Sequence, residues 1–352
     1  MNIVLFADQI LSERERKTLS ILEAIRRDGP LSRVEIAKLT DQNLVTTSKY
    51  VADLVSKGYV LEKGLDVSSG GRRPALVELN ASAGYAIGLA VMQTGTLGVM
   101  IDLKANVVTK LKKPPIKVER EDDLQLLYGI VAELMEQSRV DSQVVKGVGL
   151  GLPGILAQGR RLIYKNLLEQ KLGIESFIGS NVAYATFAEK WLSLDTRLKD
   201  LLYLYGVGTC GLVINGRVYR GINYNAGVID RVEQVDGKVV RTCVVQGEDV
   251  EKLSQAAAEG REIDPQTAVA VGEKLGAKLA ELVNLLTPEM IVVGGGMERA
   301  GSALIDAATR VIKQRTFEET SSGLEVIPAR LGEDAVALGA AGSVVQHLFI
   351  SS

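Results

Sequence analysis

The segment IGSNVAYATFAEKW, residues 178–191, holds residue types that suit a site for hydroxyl groups. The pattern predicts the start of a helix in an active site, with Asn181 where an acid is expected. A neutral amide cannot act as a general base, although it can donate and accept hydrogen bonds. Two interpretations follow: a phosphoryl-transfer site that has lost its base, or a core helix that never had one.

Three helix-start signals occupy the first part of the chain. Ser12, Ser32 and Asn43 each precede residues whose apolar positions fall at helical spacing, and Asp28-Gly29-Pro30 ends the first segment. Helices of about 14, 8 and 14 residues joined by tight turns are typical of a helix-turn-helix unit.

The helices are followed by the pattern of a β-hairpin. Residues 59–63 and 75–79 are strand-like, and the loop between them ends in Gly-Gly-Arg-Arg-Pro. This predicts a wing with Arg72 and Arg73 at its tip. Arginines at such a tip suit a narrow minor groove, whose negative potential attracts guanidinium groups.

The beginning of the third helix is rich in hydrogen-bonding side chains and contains no acid. An alternative is an ordinary bundle helix with a polar outer face. Major-groove recognition needs such side chains at the start of a helix, and we therefore expect double-stranded DNA as a partner, with a palindromic operator bound by a homodimer or higher homo-oligomer. The candidate DNA contacts are Gln42, Asn43, Thr46, Thr47, Lys49, Arg72 and Arg73.

Composition limits the other functions. With 41 Lys and Arg against 43 Asp and Glu, the net charge of −2 excludes a general polyanion binder, so a local cluster must bind DNA. Two cysteines and one histidine exclude a four-ligand Cys/His zinc site, and we expect no metal. Cys210 and Cys243 are expected to be buried free thiols. No leader pattern and no run of about 18 apolar residues is found, so we expect a cytoplasmic protein without a membrane span.

From Gly84 onward the pattern is α/β and occurs twice. Strands joined by a short turn are followed by an amphipathic helix over residues 121–139 and by a buried strand that ends in Gly-Pro-Gly. A second round contains a strand, a glycine loop and a strand that turns at Asn215-Gly216, and later helices surround the strand MIVVGGG. This doubling predicts two lobes with a cleft between them.

Five segments, SSGGRRPALVELN, GVGLGLPGIL, INGRVYRG, NLLTPEMIVVGGGMERAG and ALGAAGSV, carry a family resemblance over nearly the whole chain. The chain resembles the ROK family (repressors, open reading frames and kinases), in its xylose-repressor and N-acetylglucosamine-repressor branch. The resemblance implies a winged helix-turn-helix domain over residues 1–80. It also implies a two-lobed actin-like (sugar kinase) ATPase fold over residues 81–352, which binds an effector and dimerises.

The chain departs from the family's kinase chemistry at five places. The segment of residues 90–94 keeps only Thr94 of the family's Asp-x-Gly-Gly-Thr loop. The glycines of residues 205–209 are out of register with the family's second glycine-rich loop. Asn181 stands at the catalytic Asp, and residues 228–231 replace the Glu-x-Gly-His motif. The closely spaced zinc cysteines are missing. We therefore expect no catalytic residue, no cofactor and no sugar-kinase activity.

A small carbohydrate or polyol effector between the lobes is the ligand that the resemblance implies, and Arg231 would favour an anionic or polyol effector if it faced the cleft. Several of the candidate ligand contacts are explained equally well by a structural role, as a turn residue, a member of a surface ion pair or a residue at a solvated helix end. Three functions therefore compete: a ligand-sensing repressor, a DNA-binding protein with a ligand-free dimerisation scaffold, and an active sugar kinase. The candidate ligand contacts are Asn166, Glu175, Asn181, Asn225, Asp230 and Arg231.

Overall fold

The computed structural model describes residues 5–352 except 7–8, 66–74, 117, 119–122, 155–157, 196, 222–223, 225, 236–237 and 243–244. The helices in this part of the chain are α1 (Glu13–Asp28), α2 (Arg33–Thr40), α3 (Leu44–Ser56), α4 (Leu124–Ser138), α5 (Gln158–Leu172), α6 (Asn181–Ala188), α7 (Glu248–Glu259), α8 (Pro265–Leu286), α9 (Gly301–Arg315), α10 (Glu318–Ser321) and α11 (Ala335–Ser351). A π-helical turn, Glu189–Ser193, extends α6.

Among the described residues the strands form four sheets. They are β1 (Leu5–Phe6), β2 (Leu31–Ser32), β3 (Val60–Leu65), β4 (Ala75–Leu79), β5 (Tyr85–Met92), β6 (Gly95–Asp102), β7 (Val107–Lys113), β8 (Val145–Leu152), β9 (Ser176–Ser180), β10 (Leu201–Tyr205), β11 (Thr209–Ile214), β12 (Arg217–Tyr219), β13 (Arg231–Val235), β14 (Lys238–Thr242), β15 (Met290–Gly294) and β16 (Glu325–Pro328). β13 and β14 pair antiparallel as a separate two-stranded sheet.

The winged helix forms as the sequence predicts. The side chains of Ser12, Ser32 and Asn43 each accept a hydrogen bond from the backbone three residues on, and the two serines complete capping boxes. The helices are 16, 8 and 13 residues long. β3 and β4 pair antiparallel as the wing, and β2 pairs with β4.

The first lobe is built on the sheet β7-β6-β5-β8-β9, in which β5, β8 and β9 are parallel. Alternate residues of β5 face opposite ways: Ile87 and Leu89 pack with α4 and α5, whereas Ala86 and Ala90 face α11. α11 lies so close to this sheet that a Cβ on Gly88 would overlap the carbonyl of Ala337.

The second lobe is built on the sheet β1-β12-β11-β10-β15-β16. Leu202 and Leu204 of β10 pack with α8 and α9, while Leu201 and Tyr203 face the core that contains α6 and α11. The helices α6 and α11 therefore lie between the two sheets. The predicted two-lobed α/β arrangement is confirmed.

The N-terminal strand corrects the predicted domain division. Leu5 and Phe6 pair in parallel with Arg217 and Val218 at the edge of the second lobe's sheet. The expected domain of residues 1–80 thus includes two residues whose strand pairs within the sheet of the other domain. Sequence analysis missed this contribution because two residues carry no strand periodicity, and the pairing joins positions some 200 residues apart.

The winged helix and the lobes share one hydrophobic core. Leu22 and Ile25 of α1 are buried in the same cluster as Trp191, Val345 and Phe349. Fully burying side chains of this size stabilises a fold by about 1.5–3 kcal/mol each. The DNA-binding domain is therefore packed against the lobes through its first helix.

The C-terminal helix differs from a sequence expectation. Among the described residues, one helical segment, Gly332–Ser351, is long and apolar enough to cross a membrane by length and composition. From the sequence we expected no apolar run of about 18 residues. Of that window, 72% is buried inside the protein, which is the position of a core helix.

The two cysteines have different outcomes. Cys210 is a buried free thiol, as predicted, and burial raises its pKa to about 12. Cys243 lies outside the described residues.

Candidate functional site

The start of α3 presents four residues to solvent. Asn43, Leu44, Val45 and Lys49 are exposed, and Val45 reaches 82% exposure. The Asn43 carboxamide accepts a 2.7 Å hydrogen bond from the backbone N–H of Thr46, a half-buried residue, which fixes the helix start. This part of the helix contains no acid, so it forms a surface that negatively charged DNA can approach.

One of the predicted DNA contacts, Thr47, is wrong, and a second, Gln42, is hydrogen-bonded inside the domain. Thr47 is fully buried, and its hydroxyl donates a hydrogen bond of 3.1 Å to the carbonyl of Asn43 within the helix. Gln42 is half-buried, and its amide donates a hydrogen bond of 2.8 Å to the hydroxyl of Ser20 on α1. Both side chains hold the domain together. Arg72 and Arg73 lie outside the described residues and remain a prediction.

Sequence analysis also missed two apolar candidates on the same surface. Leu44 and Val45 carry no hydrogen-bonding side chain, so the sequence criterion for a DNA surface did not include them. Apolar side chains in the major groove contact the methyl group of thymine, so both suit base recognition. Their position directly after the cap residue Asn43 was the available signal.

Asn181 begins α6 at the junction of the lobes. It is 5% exposed, and its Nδ2 donates a hydrogen bond of 2.8 Å to the carbonyl of Val91 on β5. Tyr205 of β10 lies in the second lobe; burial raises the pKa of its hydroxyl to about 12, and Asn181 opposes the shift. The helix is capped by Ser180, whose hydroxyl accepts from the N–H of Ala183. The Asn181 amide thus bonds to the sheet of the first lobe and leaves helix capping to its neighbour.

The glycine loops of the second lobe pack against each other. The N–H of Gly206 donates to the carbonyl of Gly294 at 3.1 Å, and a Cβ on Gly295 would overlap the backbone of Gly206. The carboxylate of Glu298 accepts the N–H of Gly296 at 2.8 Å. Asp230 is half-buried against Gly208. The Gly296 amide is therefore already bonded to a carboxylate of the chain itself.

The end of the α6 element holds two buried charged residues. Glu189 is 1% exposed, and its carboxylate accepts hydrogen bonds from the backbone N–H groups of Arg330 and Leu331 at 2.8 and 3.3 Å. The side chain of Lys190 is fully buried, and its Nζ donates to the carbonyl of Asp195 at 2.6 Å. Burial lowers the pKa of Lys190 to about 8.

Trp191 connects this element to the winged helix. Its indole N–H donates a hydrogen bond of 2.9 Å to the carboxylate of Glu23 on α1. Arg26 forms an ion pair with Glu23 at 2.9 Å, and its guanidinium carbon lies 4.2 Å from the centre of the Trp191 ring. α6 and its π-helical extension therefore run from the lobe junction to the DNA-binding domain.

A cavity of about 330 Å³ opens between the lobes beside α5 and α11. Its basic and aromatic lining comes from both lobes and from the N-terminal segment. The lining includes Phe6, Arg161, Lys165, Tyr184, Arg220, Tyr224 and His347.

None of the four predicted ligand contacts whose side chains the structure describes, Asn166, Glu175, Asn181 and Asp230, lines this cavity. Asn166 is exposed on the outer side of α5, and Glu175 is an exposed residue whose carboxylate lies 3.4 Å from His347 Nε2. Asn181 and Asp230 lie at the lobe junction and the glycine loop. Asn225 lies outside the described residues, as does the side chain of Arg231, whose backbone begins β13.

Sequence analysis missed the basic residues of the cavity. Arg220 stands in INGRVYRG, one of the segments that carried the resemblance, and Arg161 follows Arg160 at the start of α5. The available signal was the arginine in that motif. Its meeting with Arg161, some 60 residues earlier, depends on tertiary structure.

Two family descriptions match parts of the chain. "ROK family" matches residues 237–347, and "Winged helix-turn-helix DNA-binding" matches residues 14–60. The second match covers α1, α2 and α3.

Curated relatives are similar over almost the whole chain. The "Xylose repressor" of Caldicellulosiruptor bescii is 27% identical over 94% of this chain and 95% of the relative. The "DNA-binding transcriptional dual regulator NagC" of Escherichia coli is 20% identical over 95% of this chain and 96% of the relative.

A solved structure shares the fold. A ROK family transcriptional regulator, described as a homologue of the Escherichia coli MLC protein, has a TM-score of 0.75 at 18% identity, with 96% of both chains covered. The chain therefore carries a ROK family domain behind an N-terminal winged helix-turn-helix DNA-binding domain.

Proposed function

We propose that this protein is a DNA-binding transcriptional repressor of carbohydrate or polyol utilisation genes, whose ROK domain senses a small ligand. Relatives similar over more than nine-tenths of the chain are named xylose repressor and N-acetylglucosamine repressor, which supports a sugar as the ligand. A repressor acts in the cytoplasm, where the operator and the imported sugar are both present.

The observation that carries the proposal is the exposed start of α3. Asn43, Val45 and Lys49 offer a hydrogen-bonding group, an apolar contact and a positive charge, and the first turn of the helix contains no acid. The wing strands β3 and β4 lie in the same small domain and flank, in the sequence, the segment that contains Arg72 and Arg73. A homodimer would present two such domains to a palindromic operator.

Sensing, rather than phosphoryl transfer, is the role that the lobe junction supports. Asn181 cannot take a proton, and its Nδ2 is engaged by Val91. Ala90, at the position of the family's first phosphate-loop Asp, is buried in β5 and offers no ligand for a metal. The Glu298 carboxylate already occupies a glycine-loop amide. We infer that the fold of a sugar kinase serves here as a binding scaffold.

The route from ligand to DNA is the α6 element. It begins at Asn181 between the lobes and ends at Trp191, which is bonded to Glu23 of the winged helix. A ligand that changes the angle between the lobes shifts this element, and the winged helix moves with it because both share one core. If the ROK domain were only a dimerisation scaffold without a ligand, this connection between the lobe junction and the winged helix would have no function.

The experiment is retention on the DNA upstream of the protein's own gene, measured by fluorescence anisotropy. The variant Lys49→Glu reverses the charge on the proposed DNA surface, and we expect at least a tenfold loss of affinity. Lys313→Glu makes the same charge change at an exposed position on α9 and should keep wild-type affinity. Equal affinities of the two variants, or no binding of the wild type, would overturn the proposal.

A further inference from the structure

The cavity brings two guanidinium groups from opposite lobes to one aromatic ring. Arg161 belongs to α5 of the first lobe, and Arg220 follows β12 in the second. Their Cζ atoms lie 4.3 and 4.5 Å from the ring centre of Tyr224. Two positive charges held near one ring repel each other, and a bound anion turns that repulsion into two attractive contacts.

Two further cationic or titratable groups stand at the same cavity. Lys165 pairs with Glu169 at 3.5 Å, and His347 lies 3.4 Å from Glu175. Both of these carboxylates stay outside the lining, and the described lining residues include no Asp or Glu. The described wall of the cavity is therefore positive, in a chain whose net charge is −2.

The inner wall supplies a hydroxyl group. Tyr184 of α6 is buried, and its ring packs against Gly179. Burial raises the pKa of this hydroxyl, whereas hydrogen bonding with Ser343 and the positive charges of Arg220 and Arg161 lower it. The field of both arginines thus reaches the hydroxyl at the back of the cavity.

The size and the aromatic lining indicate the class of ligand. A volume of about 330 Å³ is at the lower end of the range for small-molecule pockets and suits a molecule of monosaccharide size. The rings of Phe6 and Tyr224 hold the arginines in place: the guanidinium of Arg220 lies 4.0 Å from the ring centre of Phe6, which is buried and stacks on Phe187. Arginines positioned in this way bind a carboxylate or a phosphate.

We propose that this cavity binds a monosaccharide-sized anion, a sugar carrying a carboxylate or a phosphate monoester, with Arg161 and Arg220 on its charged group. The inference rests on the proposed function, because it names the chemical class of the sensed ligand. The anion closes the two lobes on each other, since its two arginines come from different lobes. Tyr184 passes this closure to α6, three residues after Asn181 and seven before Trp191.

The test uses isothermal titration of the full-length protein with glucuronate, glucose 6-phosphate, inorganic phosphate and glucose. We expect one of the two charged sugars to bind at least tenfold more tightly than glucose and than inorganic phosphate. Its affinity should fall as salt is raised. Arg161→Gln and Arg220→Gln should each weaken it at least tenfold, whereas Arg160→Gln, an exposed neighbour on α5, should not.

Glucose binding as tightly as both charged sugars, or an affinity for the charged sugar that ignores salt and both substitutions, would overturn the inference. The salt dependence of the wild type decides the question even if a variant does not fold. Retention on upstream DNA is measured in the same preparations. If the protein binds DNA and responds only to neutral sugars, the anion site is contradicted and the proposed repressor function still stands. If the protein binds no DNA, the proposed repressor function itself is contradicted.

Discussion

The indole N–H of Trp191 donates a hydrogen bond of 2.9 Å to the carboxylate of Glu23, across the junction between the ROK domain and the winged helix. Both side chains are buried, at 5% and 3% exposure, and Arg26 completes the network through its ion pair with Glu23. A buried hydrogen bond to a charged group has a strict geometry, so the two domains move together at this point.

Trp191→Phe keeps an aromatic ring in the core and removes the donor. We expect the free energy of unfolding to fall by about 1–3 kcal/mol, because Glu23 loses one of its buried partners. Affinity for DNA without ligand should remain within about threefold, since α3 is unchanged, while the effect of the ligand on that affinity should shrink. Chemical denaturation and anisotropy measure the two quantities.

Tyr219→Phe, a substitution at an exposed aromatic residue, is the control and should leave both quantities unchanged. A Trp191→Phe protein with the full ligand response would show that coupling takes another route.

Lys190 predicts a pH dependence of stability. Its pKa is about 8 in the folded protein and near 10.5 when unfolded, so between these values the unfolded chain binds more protons. The contribution of Lys190 to the free energy of unfolding therefore rises as pH increases from about 8 to 10.5 and stays at its lowest value below 8.

Lys190→Met removes this titration. The stability of the variant relative to wild type should be highest at pH 7 and should decrease by at most ~3 kcal/mol as pH reaches 10.5, since one pKa unit is worth about 1.4 kcal/mol. Urea denaturation at a series of pH values measures the difference. A difference that is constant across the window contradicts a buried, charged Lys190.

Val45 and Thr47 separate recognition from folding on the same helix. Val45→Ser removes an apolar group that is 82% exposed, so we expect lower affinity for the operator and an unchanged melting temperature. Thr47→Ala removes a buried hydroxyl bonded to Asn43, so we expect a loss of about 1 kcal/mol of stability at an affinity close to wild type. The reverse pattern would restore Thr47 to the DNA surface and remove Val45 from it.

Asn181→Asp restores the acid of a sugar kinase, and we expect it to yield no enzyme. A carboxylate there loses the donor to the carbonyl of Val91 and buries a charge, so the free energy of unfolding should fall by about 3 kcal/mol. Asn166→Asp, on the exposed side of α5, should leave stability unchanged. A coupled assay with ATP and several sugars should detect no turnover, and turnover in the Asn181→Asp protein would contradict the loss of the site.

Local signals in the sequence predicted the elements well. Ser12, Ser32 and Asn43 cap the three helices of the winged helix because capping depends on residues three positions apart. The burial of Thr47 could not be predicted in the same way, because a polar residue one turn into a helix has its exposure set by the helices packed against it. β1 could not be predicted because its two residues form a strand only through pairing with β12, which is distant in the sequence.

The candidate site shows the same difference between residues that local sequence identifies and residues that only the fold brings together. Asn181 was identified from its type and its position before a helix, and it does lie at the lobe junction. Arg161, Arg220 and Tyr224 come from two lobes, and their proximity is a property of the fold alone. Asn166 and Glu175 have suitable chemistry, yet they lie on the surface because the helix α5 and its end turn them outward.

The central claim, that a small ligand between the lobes changes the grip of the winged helix on DNA, is tested most directly by one titration. The affinity of the full-length protein for a duplex from upstream of its own gene is measured with and without glucuronate, glucose 6-phosphate, xylose and glucose. The account predicts that at least one of these changes the Kd fivefold or more, and that the change is smaller in Trp191→Phe. A Kd unaffected by all of them, or a duplex that is not bound, would contradict it.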